Sequence, residues 1–145
     1  MSEAHEAIRN LLGRYCELMD AAEWDALGDL FAGAALVGPG GAVVADGAVA
    51  VAALYERGTK LHNGSPRTRH VTSNTIIDVD GETATARSAY VVFQSADGFP
   101  LQPIITGRYQ DSFLCEAGRW RFARRQFFVD AVGDLSHHLT YEVPQ

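Results

Sequence analysis

Apolar side chains recur at three- and four-residue steps through the first part of the chain. The positions of this stripe are Ile8, Leu11, Leu12, Tyr15, Cys16 and Met19. Such spacing is typical of a helix that lays one apolar face on a core. A second, shorter helix is predicted from Glu23 to Phe31, with Trp24 and Leu27 on its apolar side. The chain therefore opens with a pair of helices.

From residue 67 onward the pattern changes to long extended runs, which span residues 67–79, 82–94, 104–115 and 119–129. Asp80-Gly81, between the first two runs, is a strong hairpin signal. Long strands with short connections predict an antiparallel meander. Residues 35–47 read as a hairpin or an irregular strand pair, and residues 48–61 have helical composition. We therefore predict an α+β domain, in which the sheet curls over the helices.

Composition and charge narrow the function. The 145 residues, 47% of them hydrophobic, fit one domain over residues 1–145, with a partly ordered tail at 133–145. A net charge of -6 and a pI near 5.2 argue against a nucleic-acid partner. No segment resembles a membrane span or a leader peptide, so we expect a cytoplasmic protein with no membrane partner. Neither the two cysteines nor adjacent His137 and His138 suggest a metal site, and no cofactor is expected.

Asp20 extends the apolar stripe of the first helix, and His70 lies early in the first long strand. An inward carboxylate near a helix C-terminus is expected to have a raised pKa. For the same reason, the variant Asp20→Asn is expected to have an unchanged or a higher melting temperature. If the sheet curls over the first helix, His70 can meet Asp20 in a general-base arrangement. The alternatives are that Asp20 caps the second helix and that His70 is structural.

Arg125 is a further candidate, in the last predicted strand. Strand alternation puts Arg125 on one face and Trp120, Phe122 and Arg124 on the other, so at most one of the two arginines faces a cavity. Trp120 and Phe122 are too apolar for a solvated face, which predicts a homodimer built on the outer face of the sheet.

Aromatic side chains supply the remaining candidates for substrate binding. Tyr15, on the buried stripe close to Asp20, can direct its hydroxyl to a substrate or can be a core residue. Trp24, Tyr90 and Phe113 are candidates for the wall of an apolar pocket, although such residues also occur in ordinary cores.

Several motifs together resemble the SnoaL-like branch of the nuclear-transport-factor-2-like superfamily. The residues that carry the resemblance are Arg14-Tyr15, Asp20, Glu23-Trp24-Asp25, Leu30-Phe31, Arg69-His70, Gly107-Arg108-Tyr109, Asp111, Phe113 and Gly118-Arg119-Trp120-Arg121-Phe122. The resemblance implies a cone-shaped half-barrel around a deep apolar pocket, usually dimerised through the sheet. Asp20 with His70 is similar to the catalytic pair of scytalone dehydratase and of hexachlorocyclohexane dehydrochlorinase. Together with Tyr15, these two residues are also similar to the site of bile-acid dehydratase. Arg125 occupies the place of the dehydrochlorinase's active-site arginine.

Two classes of function follow. The first is a cofactor-independent lyase that removes water, or a similar leaving group, from a cyclic hydrophobic small molecule. In that hypothesis His70 and Asp20 are catalytic, and Tyr15, Arg125, Trp24, Tyr90 and Phe113 bind the substrate. An isomerase or an aldol cyclase of ketosteroid or polyketide type needs the same proton transfer. The second class is a ligand-binding module with a pocket and no turnover.

Overall fold

A computed structural model describes residues 2–143. Three helices precede or interrupt six strands along the chain. The elements are α1 (Glu3–Asp20), α2 (Trp24–Asp29), β1 (Ala35–Val37), β2 (Val43–Asp46), α3 (Ala48–Gly58), β3 (Thr68–Asp80), β4 (Thr83–Ala96), β5 (Phe99–Glu116) and β6 (Arg119–Val132). The predicted order of helices, hairpin, third helix and long strands is confirmed.

The six strands form one curved, unclosed sheet in the order β2-β1-β6-β5-β4-β3. β1 and β6 pair in parallel, and the other neighbours pair antiparallel. The hairpins contain Gly81 at φ +63° and Gly118 at φ +77°, a backbone conformation that favours glycine. The predicted α+β class and the curved sheet over N-terminal helices are therefore confirmed.

The helix α1 lies along the inner face of the sheet and supplies much of the core. Its predicted stripe is buried, with Ile8, Leu12, Tyr15 and Met19 each at most 3% exposed. The next helix, α2, continues this core towards Phe31, which is itself fully buried. Burial of each large apolar side chain contributes about 1.5–3 kcal/mol, so this stripe holds α1 on the sheet.

The last strand departs from the predicted alternation. The pairing of β5 with β6 shifts by one residue between Ser112 and Phe113, which places an extra residue, Ala123, in β6. Phe122 and Arg125 consequently both point inward, and both are 0% exposed. The prediction that Phe122 lies on the outer face is wrong, so one of the residues that motivated the homodimer prediction is not on that face.

The structure describes residues 133–143 of the C-terminal tail, and residues 144 and 145 lie outside the described residues. After β6, residues 133–143 return across the end of α3, where Thr59 and Leu139 form an isolated β-bridge. The amide of Thr140 donates to the carbonyl of Gly58 at 3.0 Å. Residues 133–143 are called the C-terminal strap below, because they fasten this end of the sheet to α3. No helix within residues 2–143 is long and apolar enough to cross a membrane.

Candidate active site

A cavity of about 280 Å³ lies between the inner face of the sheet, α1, α3 and the C-terminal strap. Most of its wall is apolar or aromatic, with the imidazoles of two histidines among the polar groups. The lining side chains and glycine are Tyr15, Met19, Leu36, Pro39, Leu54, Tyr55, Gly58, Thr59, His70, Tyr90, Val92, Ile105, Tyr109, Phe127, Val129, His138, Leu139, Tyr141, Glu142 and Val143. Such a wall suits an apolar ligand that carries a few polar atoms.

Asp20 and His70 meet at the edge of this cavity. The last residue of α1 is Asp20, and its Oδ1 lies 2.6 Å from Nδ1 of His70 near the start of β3. The carboxylate also accepts the backbone N–H of His70 at 2.9 Å and the hydroxyl of Thr68 at 2.8 Å. Three hydrogen bonds therefore fix the orientation of Asp20, and Asp20 in turn fixes the His70 ring.

The alternative that Asp20 caps α2 does not fit this geometry. The cap residue of α2 is Glu23, whose side chain makes no capping hydrogen bond. The expectation of a raised Asp20 pKa is also wrong. Burial does raise the pKa of this carboxyl, but the hydrogen bonds from His70 and Thr68 and the charge of His70 outweigh burial and lower it. Asp20 is therefore a carboxylate at neutral pH.

The imidazole of His70 presents its second nitrogen to the cavity. His70 lines the cavity wall, and Nδ1 is occupied by Asp20. Within residues 2–143, Nε2 of His70 makes no hydrogen bond. A carboxylate on Nδ1 favours the tautomer with its proton on that nitrogen, which leaves Nε2 as the hydrogen-bond acceptor of the ring.

Two tyrosine hydroxyls form the opposite polar patch of the wall. Tyr15 from α1 and Tyr55 from α3 are hydrogen-bonded to each other at 2.6 Å. Burial raises the pKa of both phenols, so both stay protonated at neutral pH. Their mutual bond uses one of the two protons, which leaves the other for a bound molecule. Tyr90 also lines the cavity, but its hydroxyl already donates to the carbonyl of Phe128 at 2.9 Å.

Gly107 in β5 explains how Tyr90 reaches its position. A Cβ atom at residue 107 would collide with the Tyr90 hydroxyl and with the carbonyl oxygen of Phe128. Since both groups form one hydrogen bond, a larger residue here would displace Tyr90 from the wall. The glycine therefore shapes the cavity without touching it.

Arg125 does not reach the cavity, contrary to the expectation from the sequence. Its Nε donates to Oδ1 of Asp111 at 2.9 Å and its Nη2 donates to Oδ2 at 3.3 Å. The guanidinium carbon lies 3.5 Å from the ring centre of Tyr109 and 4.3 Å from that of Tyr15. These rings separate Arg125 from the cavity, while Arg124 lies exposed on the other face. Arg125 thus supports the wall from behind.

Two aromatic candidates also lie away from the cavity. Phe113 is 1% exposed and packs on Phe122, with ring centres 5.0 Å apart, in the core towards the other end of the sheet. Trp24 is half-buried at the start of α2, against the edge of the core. Neither contributes to the lining, because the β6 bulge and the short α2 place them in ordinary packing positions.

Tyr55 and His138 are among the polar wall residues that sequence reasoning missed. Tyr55 belongs to a run in which Val51, Leu54 and Gly58 share its side of α3, and this three- and four-residue spacing was visible in the sequence. His138 carries no comparable signal, since its place depends on the return of the C-terminal strap. The part of the chain from Ser2 to Val143 contains no group of three His, Cys, Asp or Glu side chains placed to hold a metal ion.

Comparison with known proteins identifies a family for this chain. The family model described as "SnoaL-like domain" matches residues 1–126. No curated protein gives a significant match. Among solved structures, an NTF2-like protein with a cystatin-like fold from Novosphingobium aromaticivorans is 27% identical, over 86% of this chain and 80% of that chain, with a TM-score of 0.72.

Two further structures show the same fold. A protein of unknown function from Mycobacterium tuberculosis is 26% identical, covers 89% of this chain and 77% of its own, and has a TM-score of 0.73. A proposed scytalone dehydratase from Novosphingobium aromaticivorans is 22% identical, with coverages of 97% and 89% and a TM-score of 0.72. At this identity the second likeness shows the fold alone.

Proposed function

This chain belongs to the SnoaL-like domain family, and we propose that it is a lyase that removes water from a cyclic hydrophobic ketone by proton transfer through His70 and Asp20. One observation carries the proposal. Nδ1 of His70 lies 2.6 Å from Asp20, and the ring borders an apolar cavity. A histidine oriented by a carboxylate, with its other nitrogen open to the ligand, is a standard general base.

The elimination balances without an outside reagent. Nε2 of His70 removes a proton from the carbon next to the carbonyl, and the electron pair of that C–H bond forms a C=C bond to the neighbouring carbon. The C–O bond of the hydroxyl on that neighbour breaks, and the hydroxyl takes the proton back from the imidazolium and leaves as water. Asp20, ionised at neutral pH, stabilises the imidazolium between the two transfers.

The cavity favours a small substrate. Its volume of about 280 Å³ lies near the lower end of the range of about 300–1,000 Å³ found for ligand pockets. Tyr109, Phe127 and Val129 supply flat and apolar surface, whereas charged side chains are scarce on the described wall. We therefore propose a substrate of one or two fused rings in preference to a four-ring steroid.

Other functions use the same geometry. An isomerase or an aldol cyclase would also begin with removal of a proton by His70, and would then form a different product. A ligand-binding module without turnover is supported by the bonds of Asp20 to Thr68 and to the His70 amide, which join α1 to β3. In that case Asp20 would be a structural fastener and His70 a polar wall residue.

The test is a screen with cyclic β-hydroxyketones of one and two rings, and a four-ring hydroxysteroid for comparison. Loss of one water is followed by mass, and exchange at the carbon next to the carbonyl is followed in deuterium oxide. His70→Ala should lower either rate by about 10²–10⁴-fold, because a positioned base is lost. Exchange without loss of water would support an isomerase or a cyclase.

A matched control is available on the same strand. Arg69 is exposed and neighbours His70, but it lies on the opposite face of β3. Arg69→Ala should therefore keep the wild-type rate. Turnover that persists in His70→Ala, with the fold verified by circular dichroism, would exclude His70 as the base.

A further inference from the structure

A second histidine, His138, faces the same cavity from the C-terminal strap. Its ring centre lies 6.3 Å from that of His70, and the two rings are inclined by 67°. His138 lines the cavity although it is only 5% exposed. The two imidazoles therefore border one space from different elements of the fold, β3 and the strap.

Backbone hydrogen bonds hold His138 in place. Its amide donates to the carbonyl of Leu135 at 3.0 Å, and its carbonyl accepts the amide of Lys60 at 2.7 Å. The side chain of Lys60 also donates to the carbonyl of Ser136 at 2.6 Å. The ring itself is bonded to nothing within residues 2–143, and its Nδ1 is buried without a partner. The main chain thus positions an imidazole whose polar atoms are unused.

The surroundings of His138 select one protonation state. Burial, followed by the charge of His70, lowers the pKa of His138 to about 4, although Asp20 acts in the opposite direction. A neutral imidazole carries a single N–H. If that proton were on Nδ1, the buried donor would have no partner, which is costlier than an unpaired acceptor. The proton therefore resides on Nε2.

We propose that His138 is a catalytic residue of the same site, which donates its Nε2–H to the carbonyl oxygen of the substrate while His70 removes the proton from the adjacent carbon. This inference rests on the proposed function and adds the group that stabilises the developing enolate. The α-carbon and the oxygen of a ketone are two bonds apart, so one molecule within about 3 Å of both rings spans the gap between them. A fixed donor at the position of the developing charge is a strong source of catalysis.

The two histidines cannot exchange roles. His70 has a carboxylate on Nδ1, which stabilises its cation, whereas no carboxylate within the described residues bonds His138. Groups of one chemical type in different surroundings commonly divide the tasks of base and donor. His70 accepts the proton, and His138 stays neutral and donates a hydrogen bond.

The experiment combines kinetics with nitrogen spectroscopy. In the first arm, His138→Phe removes the donor and keeps a ring of similar shape, while His138→Gln retains an N–H donor. The control is His137→Phe, since His137 is not part of the cavity wall and stacks on Phe99 at 4.2 Å, a contact that phenylalanine can keep. We expect kcat for exchange or elimination to fall about 10²–10³-fold in His138→Phe, less in His138→Gln, and not in His137→Phe.

The second arm does not need turnover. Protein labelled with ¹⁵N-histidine is titrated with 2-naphthol, a planar phenol that resembles the enol of a cyclic ketone. We expect the His138 signals to show a neutral ring protonated on Nε2, and that nitrogen to shift when 2-naphthol binds. A proton on Nδ1, an unmoved Nε2 signal, or unchanged kcat in His138→Phe would overturn the inference.

The two arms separate the possible failures. If wild-type protein neither eliminates water nor exchanges deuterium, the proposed function fails, and the His138 signal alone decides whether this histidine binds the ligand oxygen. If His70→Ala abolishes turnover while His138→Phe leaves it unchanged, the proposed function stands and the role of His138 is refuted.

Discussion

Two carboxylate–base pairs lie inside this protein, and they differ in what they leave accessible. Asp20 and His70 meet at 2.6 Å on the cavity wall, with side chains 17% and 7% exposed. Asp111 and Arg125 meet at 2.9 Å in the core, where both side chains are 0% exposed. The Asp20–His70 pair, called the open pair below, therefore retains an edge that a ligand can reach. The Asp111–Arg125 pair, called the closed pair, does not.

The chemistry of the two bases widens this difference. Burial opposes the charge of Arg125, but Asp111, Tyr109 and Tyr15 together outweigh burial and raise the pKa of the guanidinium, which therefore stays a cation. The rings of Tyr15 and Tyr109 cover it. An imidazole, in contrast, has two ring nitrogens, so that His70 can bond Asp20 through one and a ligand through the other. A buried arginine pair suits support of the wall, whereas a partly accessible histidine pair suits catalysis.

The largest expected effect on stability comes from removing one member of the closed pair, Asp111 and Arg125. Arg125→Met removes the cation and leaves the Asp111 carboxylate in the core without its partner. Loss of one member of a buried pair costs about 3–5 kcal/mol, because the remaining charge is uncompensated. We expect a fall of this size in the free energy of unfolding, measured by urea denaturation with tyrosine and tryptophan fluorescence.

A double variant provides the control for this prediction. Asp111→Leu with Arg125→Met replaces the whole pair with apolar side chains, and such replacements are often neutral or stabilising. The double variant should therefore be more stable than Arg125→Met alone. If both variants lose the same free energy, the effect of Arg125 would come from lost packing on Tyr109 and not from the unpaired charge.

Local patterns explain why one pair was predictable and the other was not. Periodic patterns in the sequence predicted the helical stripe that ends at Asp20 and the strand that carries His70. The helix α1 and the strand β3 then meet because the sheet curves over the helices. Arg125 was placed on the correct face, but its partner Asp111 and the bulge at Ala123 depend on the register between β5 and β6. Alternation within one strand carries no information about such a shift.

The C-terminal strap shows a second limit of sequence reasoning. His138 reaches the cavity through backbone contacts with Lys60 and Leu135, which are distant or non-periodic in sequence. Short polar tails without a repeating pattern are typically predicted to be partly ordered. Only the tertiary return of the chain across α3 places this ring beside His70.

A smaller effect is expected when the open pair is changed. Asp20→Asn keeps the shape but loses the charge and one of the acceptors, so that a donor of His70 or Thr68 loses its partner. We expect a loss of about 1 kcal/mol in the free energy of unfolding at pH 7. The sequence alone suggested no loss, because an inward carboxylate near a helix C-terminus is unfavourable by itself. Proton transfer by His70 should slow at least tenfold in the same variant.

The stability contribution of Asp20 is expected to depend on pH in one direction. Asp20 has a lowered pKa in the folded protein, so its contribution is fully present above the unfolded value of about 3.9 and is lost as the pH falls through the lowered folded value. The stability difference between wild type and Asp20→Asn should thus shrink as the pH falls below about 4. Urea denaturation at several pH values measures it. A difference that does not shrink below about pH 4 would contradict a carboxylate whose pKa is lowered by His70 and Thr68.

Tyr15 lies between the Arg125 pair and the cavity and offers a finer test. Its ring lies 4.3 Å from the guanidinium carbon of Arg125, and its hydroxyl is bonded to that of Tyr55 in the cavity wall. Tyr15→Phe keeps the ring and removes the hydroxyl, so we expect a loss of about 0.5–1.5 kcal/mol in the free energy of unfolding. Tyr55→Phe is the matched control and should cost a similar amount. A much larger loss in Tyr15→Phe would show that its hydroxyl, and not only its ring, supports the Arg125 pair.

The smallest effect is expected at a pair on the surface. Arg108 bonds Asp130 through two nitrogens, and the two side chains are 52% and 44% exposed. Water and salt screen such a pair, and the two side chains lose conformational freedom when they form it. Asp130→Asn keeps the shape and leaves Arg108 over the ring of Phe128, 4.9 Å from its centre. We expect no change in the urea midpoint beyond experimental error, at low or at high salt. If Asp130→Asn cost as much as Arg125→Met, burial could not be the property that separates the core pair from the others, and the contrast between the closed and the open pair would need a different cause.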